Sequence, residues 1–214
     1  MSQNLGWPKK QPQYKFMHGW LGHGNKEELL RILDDEKVGV ICELGSWYGK
    51  SAEFMMDYNP NKFLICVDLW SNSDIMDGNQ VIKYNDKYGD MLDKYPLYET
   101  FLGNLWNFRD RIMPLKMDTK DALRKIHSMG IVPDAIYIDA NHTYKDVKAE
   151  IELSLKLFPN VILLGDDINW RGVRKAVEEC AEKYGFIAIK NRNCWRYVNK
   201  ITKDISNNKN IEIL

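Results

Sequence analysis

Six acidic residues of this chain stand where apolar runs end. Glu43 follows V-G-V-I-C, Asp68 follows F-L-I-C-V, Asp118 follows R-I-M-P-L-K-M, Asp139 follows A-I-Y-I, and the pair Asp166-Asp167 follows V-I-L-L-G. Any one of them is ordinary turn or cap chemistry. The whole set reads as a site, because ligands of open α/β sheets lie beyond the carboxyl ends of the strands. Asp68, after the second run, is placed to accept both hydroxyls of a ribose. Glu43 either accepts from a ligand ammonium or holds the loop that follows it. Asp118-Thr119 either meets an adenine edge or caps the next helix, and capping is the expected role of Thr119. Asp139, Asp166 and Asp167 converge from neighbouring strand ends, and three clustered carboxylates repel unless protonated or neutralised. A divalent cation such as Mg²⁺, which prefers oxygen ligands, is the simplest neutraliser. His142, three residues past Asp139, is a candidate general base, ligand or donor, and Lys145 is a second candidate base.

A glycine loop follows Glu43, reading L-G-S-W-Y-G-K-S. Gly45 and Gly49 are expected to let a ligand approach the backbone, which a Cβ would block. A helix N-terminus after them supplies unpaired N–H groups. The spacing is neither the G-x-G-x-x-G dinucleotide fingerprint nor a P-loop, whose glycine and G-K-S/T ending stand further apart.

The elements that must position these groups alternate. Helices are expected over 26–36, capped by Asn25 with Glu28 completing a capping box, over 120–127 behind Thr119, and over 50–58, 97–108, 144–157 and 172–184. Strands are expected over 38–42, 63–67, 111–117, 134–138 and 161–164, with a C-terminal hairpin over 186–189 and 195–198. The strand runs are apolar throughout, as strands covered on both faces must be. This pattern predicts an α/β fold, a doubly wound sheet with helices on both faces. Residues 1–24 read as an irregular N-terminal segment and 25–200 as one domain. Within it, the polar, tyrosine-rich stretch 71–106 reads as an acceptor lid, and 201–214 as a frayed tail.

The chain has 214 residues, with 30 Lys plus Arg against 30 Asp plus Glu. A net charge of zero argues against nucleic acid or an anionic membrane surface as a partner. No apolar run approaches the length of a membrane span, and the first residues carry no apolar signal region, so cytoplasm is the expected compartment. The four cysteines form no C-x-x-C pair and read as reduced core residues.

E-L-G-S-W-Y-G-K-S, C-V-D-L-W, Y-I-D-A-N-H-T-Y and L-L-G-D-D-I-N-W, in this order and spacing, resemble class I S-adenosylmethionine-dependent methyltransferases. More narrowly, they resemble the family 24 branch, related to macrocin O-methyltransferases and cephalosporin-hydroxylase-like proteins. The resemblance covers about residues 16–198. It implies a Rossmann-like sheet of about seven strands with the last antiparallel. It implies cofactor contacts at Glu43, Gly45, Ser46, Trp47, Gly49, Ser51, Asp68, Leu69, Asp118, Thr119 and Asp139, and a divalent-metal triad of Asp139, Asp166 and Asp167. The chain departs from the family at Ala140-Asn141, where Gly-Asp is usual. The implied activity is metal-dependent O-methylation of a small-molecule or carbohydrate hydroxyl by a chain that can form homo-oligomers. A hydroxylase-like enzyme of the same fold, or a cofactor-binding module without turnover, are the alternatives.

Overall fold

The structure is a computed structural model describing residues 6–71, 75–77, 80–82, 84–201, 205 and 208–214, with backbone alone for 75–77, 80–82 and 84–87. In chain order the elements are α1 His23–Asp34, β1 Val40–Leu44, α2 Lys50–Tyr58, β2 Phe63–Asp68, β3 Ile75–Asp77, β4 Gln80–Ile82, α3 Tyr84–Lys94 and α4 Leu97–Asn104. A 3₁₀ turn, Trp106–Phe108, leads into β5 Ile112–Lys116, α5 Thr119–Ser128, β6 Ala135–Ile138, α6 Tyr144–Leu157, β7 Ile162–Gly165 and α7 Arg171–Tyr184. The chain ends with β8 Ile187–Asn191, β9 Cys194–Val198 and β10 Ile211–Ile213.

Eight strands form one sheet in the order β10-β8-β9-β7-β6-β1-β2-β5. The block β5-β2-β1-β6-β7 is parallel, and β9 runs antiparallel between β7 and β8. Chain order reverses between β1 and β6, which makes their carboxyl ends the topological switch point where such sheets bind ligands. The two-residue periodicity of a strand splits the core into two layers. Cys42, Leu44, Ile65, Val67, Ile136 and Ile138 pack on α5, α6 and α7. Ile41, Leu64, Cys66, Ile112, Ala135 and Tyr137 pack on α1, α2 and α4. The four cysteines are buried and unpaired, as expected of core thiols.

The sheet gains one strand over the expected seven. Residues 211–213, expected in a frayed tail, pair with β8 and occupy its open edge. α1 starts at His23, ahead of Lys26, and Asn25 makes no cap. The expected capping box is absent because both of its side chains are spent on tertiary contacts. Asn25 donates to the Tyr137 hydroxyl, and Glu28 accepts from Asn191 and faces Arg196. Gly24 allows this packing, since a Cβ there would lie 2.3 Å from the Asn191 carbonyl oxygen. The helix expected over 97–108 ends at Asn104, whose side chain bonds the Phe16 backbone and the Tyr48 carbonyl.

The irregular N-terminal segment is thereby strapped down, and Trp7 adds a bond from Nε1 to the Ile112 carbonyl at 2.7 Å. Of the stretch expected as a lid, Leu97, Phe101, Leu102 and Leu105 are buried core. Residues 72–74, 78–79 and 83 of that stretch lie outside the described residues. Among the described residues no helix is long and apolar enough to cross a membrane.

Candidate active site

β1 and β2 end side by side, with Leu44 opposite Val67 in the register. The loop after β1 turns through Gly45 (φ +96), Trp47 (φ +48) and Gly49 (φ +88) before α2 begins. Gly45 and Gly49 make room for neighbouring parts of the protein. A Cβ on Gly45 would sit 2.1 Å from the Asp139 carbonyl oxygen, and one on Gly49 2.8 Å from the Leu105 side chain. The glycines let β1 and β6 loops and α4 close on each other, which then fixes the loop.

Two acids hold that loop from beneath. Glu43 is fully buried and accepts from the Ser46 hydroxyl at 2.6 Å and from the Ser51 hydroxyl. Of its two expected roles, the structure shows loop-holding. Burial pushes its carboxyl up to about 7, against the pull of the two serines. Asp68 accepts the Trp47 N–H at 2.9 Å and the Trp70 N–H at 2.7 Å. Both tryptophans are in the left-handed region, uncommon outside glycine, and these bonds hold them there. Burial raises the Asp68 carboxyl, with the backbone N–H groups opposing.

An aromatic wall stands over the loop. Trp47 donates from Nε1 to His18 Nδ1 at 3.2 Å, and Tyr48 and Tyr88 pack edge-on to Trp47. Leu69 is half-exposed beside it. Further along the sheet edge, Asp118 is the N-cap of α5, accepting from the Lys120 N–H. Thr119, expected to cap, lies inside the helix. Its hydroxyl turns inward to Glu150 at 2.6 Å, because the buried Glu150 needs a donor and the cap position is already filled.

Beyond β6 and β7, Asp139, His142 and Asp167 bring one ligand atom each within 4.8 Å of one another. His142 Nε2 is 2.8 Å from Asp167 Oδ2, and the imidazole stacks on Trp170 at 5.2 Å. Asp167 is itself left-handed (φ +58), and the Asn193 amide donates to it and to Asp166, both at 2.8 Å. Asp166, expected as the third ligand, is not brought into the set. Its Oδ2 accepts from Asn25, and its Oδ1 accepts from the Asp167 N–H at 2.7 Å and Asn193 at 2.8 Å. Lys145 is exposed on the first turn of α6 and stays outside the cluster.

Burial raises Asp139 well above the usual carboxylate range, and the charges of Asp166 and Asp167 add to that. Burial, then Asp167, lifts Asp166 to about 6. For Asp167 burial acts upward, but the His142 contact wins and lowers it. Among the described residues no lysine or arginine pairs with any of the three. Desolvated carboxylates without a cationic partner fit a divalent cation, for which carboxylate oxygens are preferred ligands. Asn25 and Asn193 are the supports that sequence reasoning missed. Asn25 resembled a cap, and no local signal separates that role from bonding a distant acid.

A doubly wound sheet whose first two strand ends grip a glycine loop and an acid, with an acidic cluster at the ends of the neighbouring β6 and β7, defines a Rossmann-like methyltransferase. The family model for a methyltransferase domain, family 24, matches residues 42–168, and the chain belongs to that family. It is an S-adenosylmethionine-dependent methyltransferase.

Solved structures share the fold. A Staphylococcus aureus protein assigned as a caffeoyl-CoA O-methyltransferase aligns with TM-score 0.56 at 11% identity, covering 84% of this chain and 85% of that one. The Bacillus cereus O-methyltransferase in complex with SAH aligns with TM-score 0.55 at 15% identity, covering 84% and 82%. A precorrin 8W decarboxylase from Methanobacterium thermoautotrophicum aligns with TM-score 0.55 at 13% identity, covering 85% and 92%. No curated protein sequence matches the chain. The residues here fit the cofactor. Asp68 accepts from the Trp47 and Trp70 N–H groups on different oxygens, and a carboxylate has about four acceptor positions, enough to take a ribose hydroxyl as well.

Proposed function

We propose that this methyltransferase is a divalent-cation-dependent O-methyltransferase acting on a hydroxyl of a small, carbohydrate-like acceptor. The observation that carries the reading is the Asp139–His142–Asp167 cluster, on the same sheet edge as the Gly45–Asp68 loop. When bound, S-adenosylmethionine supplies a methyl carbon on a sulfonium leaving group, and a divalent cation supplies Lewis acidity that lowers the pKa of a coordinated hydroxyl. Asp139 and Asp167 would hold the cation through their carboxylate oxygens. His142 takes the acceptor proton. Asp167 at 2.8 Å orients its imidazole and stabilises the charge it gains, and Trp170 keeps the ring in plane. Glu43 and Asp68 fix the loop so that the cofactor and the acceptor meet in one orientation, which is most of what a methyl transfer requires.

Exposed Trp20 and Trp170 offer faces to a sugar or polyhydroxylated ring. The cluster holds one histidine and two aspartates, unlike the two-His, one-carboxylate set of iron oxygenases, which weighs against the hydroxylase-like alternative. The test is methyl transfer to a panel of hydroxylated acceptors with and without excess chelator. Turnover should vanish in chelator while S-adenosylmethionine binding by calorimetry persists. Full turnover in chelator would overturn cation dependence.

A further inference from the structure

A cavity opens at the outer shoulder of this edge. It holds about 460 Å³ and is walled by Lys190, Arg192 and Lys209 together with the amides of Asn169, Asn193 and Asn210. One acid, Glu212, lies on its rim, and it is occupied by Lys190 at 3.1 Å and Arg174 at 3.3 Å. Arg192 and Lys209 have no carboxylate partner among the described residues. The cavity therefore presents the unneutralised cations of Arg192 and Lys209 in a chain whose total charge is zero.

Three features indicate a recognition site and argue against a solvated fringe. First, the cavity shares a wall with the catalytic cluster. Asn193 donates to Asp166 and Asp167, both at 2.8 Å, and accepts from Asn169 at 2.9 Å. One side chain separates the cations from the carboxylates. Second, Arg192 stands at the tip of the β8–β9 hairpin with φ +59. Glycine or asparagine is the usual choice for a left-handed position in so short a turn. An arginine kept against local backbone preference is the kind of conflict found at functional sites. Third, Lys209 and Asn210 reach the cavity only because β10 pairs with β8, which carries the end of the chain back to Lys190.

We infer that this cavity binds the phosphoryl oxygens of the methyl acceptor, so that the acceptor is a phosphorylated small molecule such as a sugar phosphate or a nucleoside-diphosphate sugar. The inference rests on the proposed O-methyltransferase reading for the place of the hydroxyl. An arginine fork and a lysine point charge match a group rich in acceptor oxygens. With the phosphoryl group held in the cavity, the rest of the acceptor extends past Asn193 towards Asp139 and Asp167. The negative cluster and the anion stay on opposite sides of Asn193, which keeps the phosphoryl group from competing for the cation position.

The probe is pyrophosphate, titrated by calorimetry into the full chain in chelator, with acetate as the comparison anion. Pyrophosphate should bind, and acetate should bind at least about tenfold more weakly. Arg192→Gly removes the guanidinium and relieves the left-handed backbone, so it should fold at least as well as the parent. Both it and Lys209→Gln should weaken pyrophosphate at least about tenfold. S-adenosylmethionine affinity, and Mn²⁺ affinity measured without chelator, should not change. In turnover, Arg192→Gly should raise KM for phosphorylated acceptors and leave kcat and unphosphorylated acceptors alone.

No pyrophosphate binding, equal binding by Arg192→Gly, or acetate binding as tightly as pyrophosphate would overturn the inference. The chelator experiment reads separately. Turnover that ignores chelator sinks the cation reading without touching the pyrophosphate titration.

Discussion

Glu150 gives a prediction whose size follows from its surroundings. It is buried on α6, its Oε1 accepts from Thr119 at 2.6 Å, and its Oε2 has no hydrogen-bond partner among the described residues. Burial raises its carboxyl from an ordinary 4.5 to about 7, and the Thr119 bond and the Lys120 charge only partly oppose this. Below the unfolded value the carboxyl is neutral in both states and the fold carries no charge penalty. As pH rises, the unfolded chain releases its proton first while the folded chain keeps it. Stability therefore falls through this window and levels off above about 7.

At ~1.4 kcal/mol for each pH unit separating the two values, the loss is about 3 kcal/mol. Glu150→Gln keeps the acceptor for Thr119 and has no proton to lose. Urea denaturation at a series of pH values should show the parent losing about 3 kcal/mol more than the variant across that window. The raised Glu43 and Asp166 carboxyls are common to both proteins and cancel in the difference. Parallel profiles would refute the reasoning and mean that water or a moved lysine already compensates the ionised carboxylate.

Asp68→Ala should weaken S-adenosylmethionine by ~1–3 kcal/mol, because it loses the charged acceptor and releases the Trp47 and Trp70 N–H groups together. Unchanged affinity by calorimetry would remove Asp68 from the cofactor site. Asp167→Asn should cost Mn²⁺ affinity more than Asp166→Asn does, since Asp166 is already saturated by Asn25, Asn193 and a backbone N–H; the reverse order in a titration would put Asp166 back among the ligands. Gly45→Ala should destabilise by on the order of 3 kcal/mol or more, as its Cβ would meet the Asp139 carbonyl oxygen at 2.1 Å. A parent-like melting temperature would show that the loop can shift.

What the sequence determined by itself was the alternation of elements and the order of chemistry along them. Apolar runs of strand length between amphipathic segments leave little freedom, because buried strands must be covered on both faces and connections must cross right-handed. Lys50–Tyr58 and Tyr144–Leu157 therefore read correctly to the residue. Acids at strand ends marked the edge where the site lies, and the motif order named the family. The tertiary structure alone decided how polar side chains are shared out. Asn25 looked like a cap and reaches Asp166, Thr119 looked like a cap and serves Glu150, and the two loop glycines accommodate Asp139 and Leu105. A side chain capable of several hydrogen bonds takes the partner whose burial makes an unmet bond most costly, and that partner lies a hundred or more residues away in the cases of Asn25 and Asp166. Lys209 beside Lys190 is the same lesson at the sheet edge. Nothing in an Asn- and Lys-rich tail foretells a strand, and only the open side of β8 supplies its hydrogen bonds.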